Sequence, residues 1–201
     1  MRAFLVGLLL VLVVPLALGG AHRADAQAAE FQTSIANEFP RRIVFTLSAS
    51  AGQEIQDVTL NYSIAGRGVS AIGKPGSFDI GTTVGVDVIV EANTSASYIP
   101  VGSEFEYTWT LSLADGSSVQ SGPETFLYLP PGEDWQSIDS SVVRVYYYGD
   151  RRSIAEEYLQ AGEETYQAIA RELFGIELEL LPVNVILFGD ESELEQARPG
   201  T

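Results

Sequence analysis

Between residues 31 and 129 apolar and polar positions alternate with the two-residue period of strands that bury one face. The alternation runs through Phe31 to Ile35, through Ile43, Phe45 and Leu47, through Val58, Leu60, Tyr62 and Ile64, and through Val84, Val86, Val88 and Val90. It is clearest where Phe105, Tyr107, Trp109, Leu111 and Leu113 interleave with Glu106, Thr108, Thr110 and Ser112. Asp115-Gly116 then supplies a tight turn, and Val119 to Leu129 reads as the returning strand of a hairpin. Short strands separated by turn residues in roughly 100 residues predict an antiparallel β-sandwich of immunoglobulin-like type. The Cys…Trp…Cys spacing of antibody domains is absent, and Trp109 is the expected core aromatic.

The period changes after Pro130-Pro131-Gly132, so a domain border is expected between Pro130 and Trp135. Val142 to Tyr148 is a strand with Tyr146 and Tyr148 on one face and Tyr147 on the other. Ser153-Ile154-Ala155-Glu156 then has the form of a capping box. The helix it opens places Ala155, Tyr158, Leu159, Gly162, Tyr166, Ile169, Ala170 and Leu173 along one stripe. Glu156, Gln160, Glu163, Glu164, Gln167 and Arg171 lie opposite; they read as a solvated face rather than as a catalytic acid and base. Gly175 is placed to cap the C-terminus. Val183 to Phe188 reads as a strand buried on both faces, and Asp190-Glu191-Ser192-Glu193 as a second helix start. The unit is strand, helix, strand and the beginning of a helix, the start of an α/β lobe with too little material to close its own core. The fold class is therefore α+β, with the sandwich at 27–131 and a partial β-α-β unit at 132–201.

The N-terminus has a separate pattern. Arg2 precedes a sixteen-residue apolar run from Ala3 to Leu18, and Ala24-Asp25-Ala26 is a small-x-small cleavage signal. This is the form of a secretory signal peptide, residues 1–26, and the run is shorter than the ~20 residues of a spanning helix. A retained membrane anchor is the competing reading. The expected location is extracytoplasmic, and cleavage would leave about 175 residues, enough for a substantial core.

The net charge of −16, from 27 acidic and 11 basic residues, argues against a nucleic-acid backbone or an anionic membrane surface as partner. Cysteine is absent, and the single histidine, His22, lies in the expected signal peptide. Beyond it no imidazole or thiolate is available for a triad or for the usual zinc ligands. No catalytic, cofactor or metal residue is nominated, and no cofactor is expected in this chain. Gly68 to Pro75 almost fits a phosphate-binding loop, but Pro75 takes the place of the hydroxyl and no helix start follows, so a loop between strands is expected. Asn61-Tyr62-Ser63 and Asn93-Thr94-Ser95 match the N-glycosylation triplet and carry little weight.

In order, the FEYTWTLSLADGSSVQSGPETFLYLP strands, Trp135, VVRVYYYGD, the helix and LPVNVILFGD resemble the secreted peptidase-MA-like proteins, gluzincin-type zinc metallopeptidases with an N-terminal immunoglobulin-like domain. The resemblance covers most of residues 31–198. It implies a zinc-binding His-Glu-x-x-His helix, which this sequence does not contain. On that resemblance the chain is a truncated metallopeptidase, its β domain and the first part of its catalytic lobe, with the remainder of the catalytic domain and zinc expected only in a longer parent and a peptide as substrate. The alternative is a non-enzymatic binding or adhesion module that presents loops such as Gly66 to Ser77 to a protein or glycan. A purely structural envelope protein is the third reading.

Overall fold

The computed structural model describes residues 29–68, 70–178 and 181–200, so the expected signal peptide lies outside the described residues. The chain is mostly antiparallel β-sheet, curled into a sandwich, with a smaller three-stranded sheet behind it. The sandwich is organised by β2 (Arg42–Ile64), a strand of 23 residues. Two separate strands are expected there, and the structure corrects this to one. Ala51, Gly52, Gln53 and Glu54 make no turn; they carry the strand from one layer to the other. The register slips between Ser50 and Ile55 against one neighbour and between Ile55 and Asp57 against another. Such irregularities bend a strand and let it change layers.

The first half of β2 pairs with β1 (Glu30–Glu38) on one side and, beyond β3 (Ser70–Gly73) in the sequence, with β4 (Gly81–Glu91) on the other. The second half pairs with β3 and with β5 (Ser103–Leu113). The predicted returning strand 119–129 is two strands, β6 (Ser118–Gln120) and β7 (Glu124–Tyr128), both antiparallel to β5. Gly122-Pro123 divides them, since proline has no N–H to give to a ladder. Ser70–Gly73, expected as loop, is an edge strand. Gly116 takes the turn with φ 82°, as Asp115-Gly116 predicts.

Side chains of the two layers meet as the alternation requires. Ile43, Phe45 and Leu47 face Leu60, Phe105, Tyr107, Trp109 and Leu111, all buried. The Phe45 ring stands edge-on to Tyr107 at 5.1 Å and tilted to Phe105 at 6.0 Å. Thr33 Oγ1 and Tyr107 OH both donate to Glu124 Oε2 at 2.8 Å, joining β1 to β7 and β5 along one side of the sandwich.

The second sheet has the order β10, β9, β8: β9 (Val143–Tyr147) is antiparallel to β8 (Gln136–Asp139) and parallel to β10 (Val183–Ile186). The polar sequence of β8, QSID, has no alternation by which to announce a strand. The helix α1 (Arg152–Thr165) lies between β9 and β10 in the sequence and continues into a π-helical stretch, Tyr166–Leu173. The expected capping box does not form. Arg151 is the N-cap, without a side-chain bond to the helix, and Glu156 accepts instead from Arg152 Nε at 3.0 Å.

The predicted stripe also divides. Ala155, Leu159 and Tyr166 pack on Val143, Val145 and Tyr147, whereas Tyr158, Ile169 and Leu173 are exposed. The π-helical stretch is wider than an α-helix, so Ile169 and Leu173, which a 3.6-residue period would align, drift off the buried face; Tyr158 precedes it, in α1. β10 is not buried on both faces. It is a sheet edge, with Val183 45% exposed. Gly175 ends the helix with φ 65°, and Asp190 caps α2 (Glu191–Gln196) by accepting from Glu193 N at 3.0 Å. No helix among the described residues is long and apolar enough to cross a membrane.

Candidate functional site

The side of the sandwich opposite Thr33 and Glu124 is bounded by β3 and β4, which belong to different layers because they pair with different halves of β2. At one end they close. A Cβ on Gly73 would lie 2.5 Å from Val88 Cγ1, so only glycine lets β3 come this near. Toward Ser70 the strands part, leaving an open cleft of about 610 Å³ within the range of small-ligand sites. Tyr62, Ile64, Ala71, Val90 and Ile99 supply its apolar walls, and Ile89, 51% exposed, stands at its edge.

Polar groups sit around those walls. Arg67 Nη2 donates to Tyr98 O at 2.8 Å, which fixes the guanidinium beside the cleft. Ser97 Oγ donates to the Glu91 carbonyl at 3.2 Å. The Tyr62 ring stacks at 6.4 Å on Phe45 and lies 5.9 Å from Phe105. Burial pushes its phenol above the usual tyrosine range, so it is a neutral donor at physiological pH. The arrangement can accommodate an apolar side chain between Tyr62 and Ile99, with the remaining Arg67 N–H groups offered to a carbonyl or carboxylate.

A second cavity, of about 330 Å³, lies where the two sheets meet, lined by Gly66, Val101, Glu104, Arg144, Pro182 and Asn184 among others. Here the contacts are mutual. Arg144 Nη1 donates to Glu104 Oε1 at 2.9 Å, Tyr146 OH to the same oxygen at 3.3 Å, and Asn184 Nδ2 to Gly102 O at 2.8 Å. Burial is the first cause of the raised Tyr146 pKa. Around the far end, Tyr98 OH donates to Ala197 O at 2.8 Å. Trp135 stands edge-on to Tyr148 at 4.8 Å, and Tyr148 bonds Glu193. These groups hold the smaller sheet on the sandwich and are occupied in doing so.

Of the loop Gly66 to Ser77, expected to present a binding surface, the structure brings Arg67 and Ala71 to the cleft. Lys74 is turned away to Asp57. Of the predicted solvated face, Glu156, Gln160, Glu164, Gln167 and Arg171 are exposed and Glu163 is half-buried, with Gln160 Nε2 donating to Glu164 at 2.8 Å. Among the described residues no group of three or more His, Cys, Asp or Glu is gathered as a metal site would need. Tyr62 and Ile99 could not be nominated from sequence. Tyr62 shares the inward phase of Val58 and Leu60, and only the parting of β3 from β4 opens its surroundings.

No protein-family model matches the chain, and a search of curated proteins finds no match. Among solved structures, one titled "Crystal structure of Br derivative BhCBM56" is similar over 49% of this chain and 91% of that one, at 13% identity and a TM-score of 0.34. A score so low carries no inference about ligand or activity.

Proposed function

We propose that this chain is a non-enzymatic extracytoplasmic binding module, which takes an extended protein or peptide segment at the cleft between β3 and β4. The observation that carries this reading is the cleft itself: apolar walls from Tyr62, Ile64 and Ile99 with Arg67 held beside them. No imidazole or thiol follows His22 to support catalysis by triad or by a His/Cys zinc site. The extracytoplasmic location rests on the signal-peptide form of residues 1–26. The test is an array of short peptides and glycans probed with the native chain and with Tyr62→Ala and Arg67→Ala. Retained peptides that both variants lose support the reading; indifference to both substitutions, or capture of nothing, overturns it.

A second reading is favoured by a different observation. The β9–α1–β10 unit leaves Leu173 69% and Phe174 64% exposed, together with Tyr158, Ile169, Ile176 and Leu178. A face this apolar on a secreted protein calls for a cover. The resemblance to the peptidase-MA-like proteins supplies one: the remainder of a zinc-peptidase lobe, for which the immunoglobulin-like sandwich and this unit would be the front portion. Sequencing the gene beyond codon 201 tests it. A downstream His-Glu-x-x-His supports it, and an open reading frame without that motif sinks it.

A further inference from the structure

β4 is a strand of 11 residues with only one edge paired to another strand among the described residues. All its partners lie on β2, and among the described residues no strand pairs with its other edge. The N–H of Ala92, the next residue, donates to Arg41 O at 2.8 Å in the same register. By the alternation of an antiparallel ladder, the even-numbered residues therefore turn their backbone groups to β2. Thr83, Gly85, Asp87 and Ile89 turn theirs to the open edge. The Glu91 carbonyl, also odd, accepts from Ser97 on that outer side, as this phase requires. An open edge of this length is a template for another strand.

We propose that the occupant is β4 of a second copy of this chain, paired antiparallel about a twofold axis through Val86. Residue 86 is the midpoint of Gly81–Glu91, so this register centres the pairing on the strand, with only its last carbonyl, that of Glu91, already bonded to Ser97. It sets Gly85 against Asp87, Thr83 against Ile89 and Gly81 against Glu91, each pair met twice as a twofold contact demands. Both acids of the strand then face glycine, and no like charges stand directly opposed. Centring the axis on Asp87 would set that carboxylate against itself. The inward side chains agree: Val84 meets Val88 and Val86 meets Val86, continuing the buried valine row of one sandwich into the next. Asp87 is already held by Thr46 Oγ1 at 2.7 Å, which keeps its carboxylate over its own sheet. Ile89 to Glu91 of this strand also line the cleft, so a second copy would cover its β4 rim, and the test reads association of the chain by itself.

The test uses the purified chain in analytical ultracentrifugation across the micromolar range. A Cβ on Gly85 meets nothing within 4 Å, so side chains are accommodated there and two variants of similar bulk can be compared. Gly85→Asp sets carboxylate against the Asp87 carboxylate twice and should weaken dimerisation about tenfold or more; Gly85→Lys sets an ammonium there and should preserve or tighten it. Because the sequence has no cysteine, Val86→Cys introduces a lone thiol facing its own copy across a non-hydrogen-bonded pair, about 4.5 Å between Cα atoms, and should cross-link on mild oxidation. Thr83→Cys, roughly 20 Å from its copy in this register, should not. A chain that stays monomeric throughout overturns the proposal, as does equal behaviour of the Asp and Lys variants, or cross-linking by the Thr83→Cys variant instead of the Val86→Cys variant.

Discussion

Gly102 and Ile186 are packed so closely that one added carbon would force the isoleucine side chain to move: a Cβ at residue 102 would lie 2.7 Å from Ile186 Cδ1 and 3.2 Å from Cγ1. Gly102 also has φ 84°, a conformation that costs other residues energy. The turn before β5 thus meets β10, and Asn184 ties the two through the Gly102 carbonyl. Gly102→Ala should destabilise the chain by about 1–3 kcal/mol in denaturant unfolding. Adding Ile186→Ala should recover only the contact part of the loss, since the backbone strain remains. A Gly102→Ala chain as stable as the parent would mean the two sheets are not held at this distance.

Trp109 is fully buried, yet its indole N–H finds no hydrogen-bond partner. The two facts pull in opposite directions: a large ring fills the core, and an unpaired donor costs free energy there. Trp109→Ala should cost about 3–5 kcal/mol through the cavity it leaves. Trp109→Phe should cost much less, about 1–2 kcal/mol, because the smaller cavity is offset by removal of the orphan donor. Equal losses for the two variants would show that the donor is satisfied in solution.

The sandwich was largely legible, because one buried face per strand imposes a two-residue period that Phe105 to Leu113 and Val84 to Val90 both keep. Trp109 followed from that phase. The continuity of β2 was not legible, since Ala51-Gly52 reads as readily as a turn as it does as a crossing between layers. β8 was hidden for a different reason: a polar edge strand needs only backbone partners. Local pattern also misled at α1, where Ser153 to Glu156 spells a cap but the helix starts at Arg152 with Arg151 as its N-cap, which puts Ser153 inside it. The cleft was hardly legible at all. It exists because two edge strands diverge, a relation between layers that no single strand encodes.

Alkaline pH should lower the stability of the chain through two buried tyrosines. Burial first, and then the bond to Glu124, push the Tyr107 phenol up to about 12, and burial pushes Tyr128 up to about 12 as well. Below the ordinary tyrosine value of 10.0 both states keep the proton and the stabilisation is fully present. As pH rises from about 10 to about 12, the unfolded chain releases protons that the folded one retains, so stability falls. Denaturant midpoints measured over that interval should decline, and Tyr107→Phe should flatten the decline. A slope unchanged by that substitution would place the titration elsewhere.

Gly162 sets two known effects against each other. In the middle of α1, alanine is favoured over glycine by about 1 kcal/mol, which by itself predicts that Gly162→Ala stabilises. The structure opposes this: the new Cβ would lie 2.6 Å from Val143 Cγ2, in the layer where Ala155 and Leu159 pack on β9. Val143 is buried in a strand with neighbours on both sides and has little freedom to withdraw. Overpacking of this kind costs about 1–3 kcal/mol, so the net effect should be destabilising. Val143→Ala in the same chain should reverse the sign for the methyl added at position 162, leaving the helix preference exposed as a gain. If Gly162→Ala alone raises the unfolding midpoint, α1 does not rest on β9 this closely, and its division into a buried and an exposed apolar side would have to be redrawn.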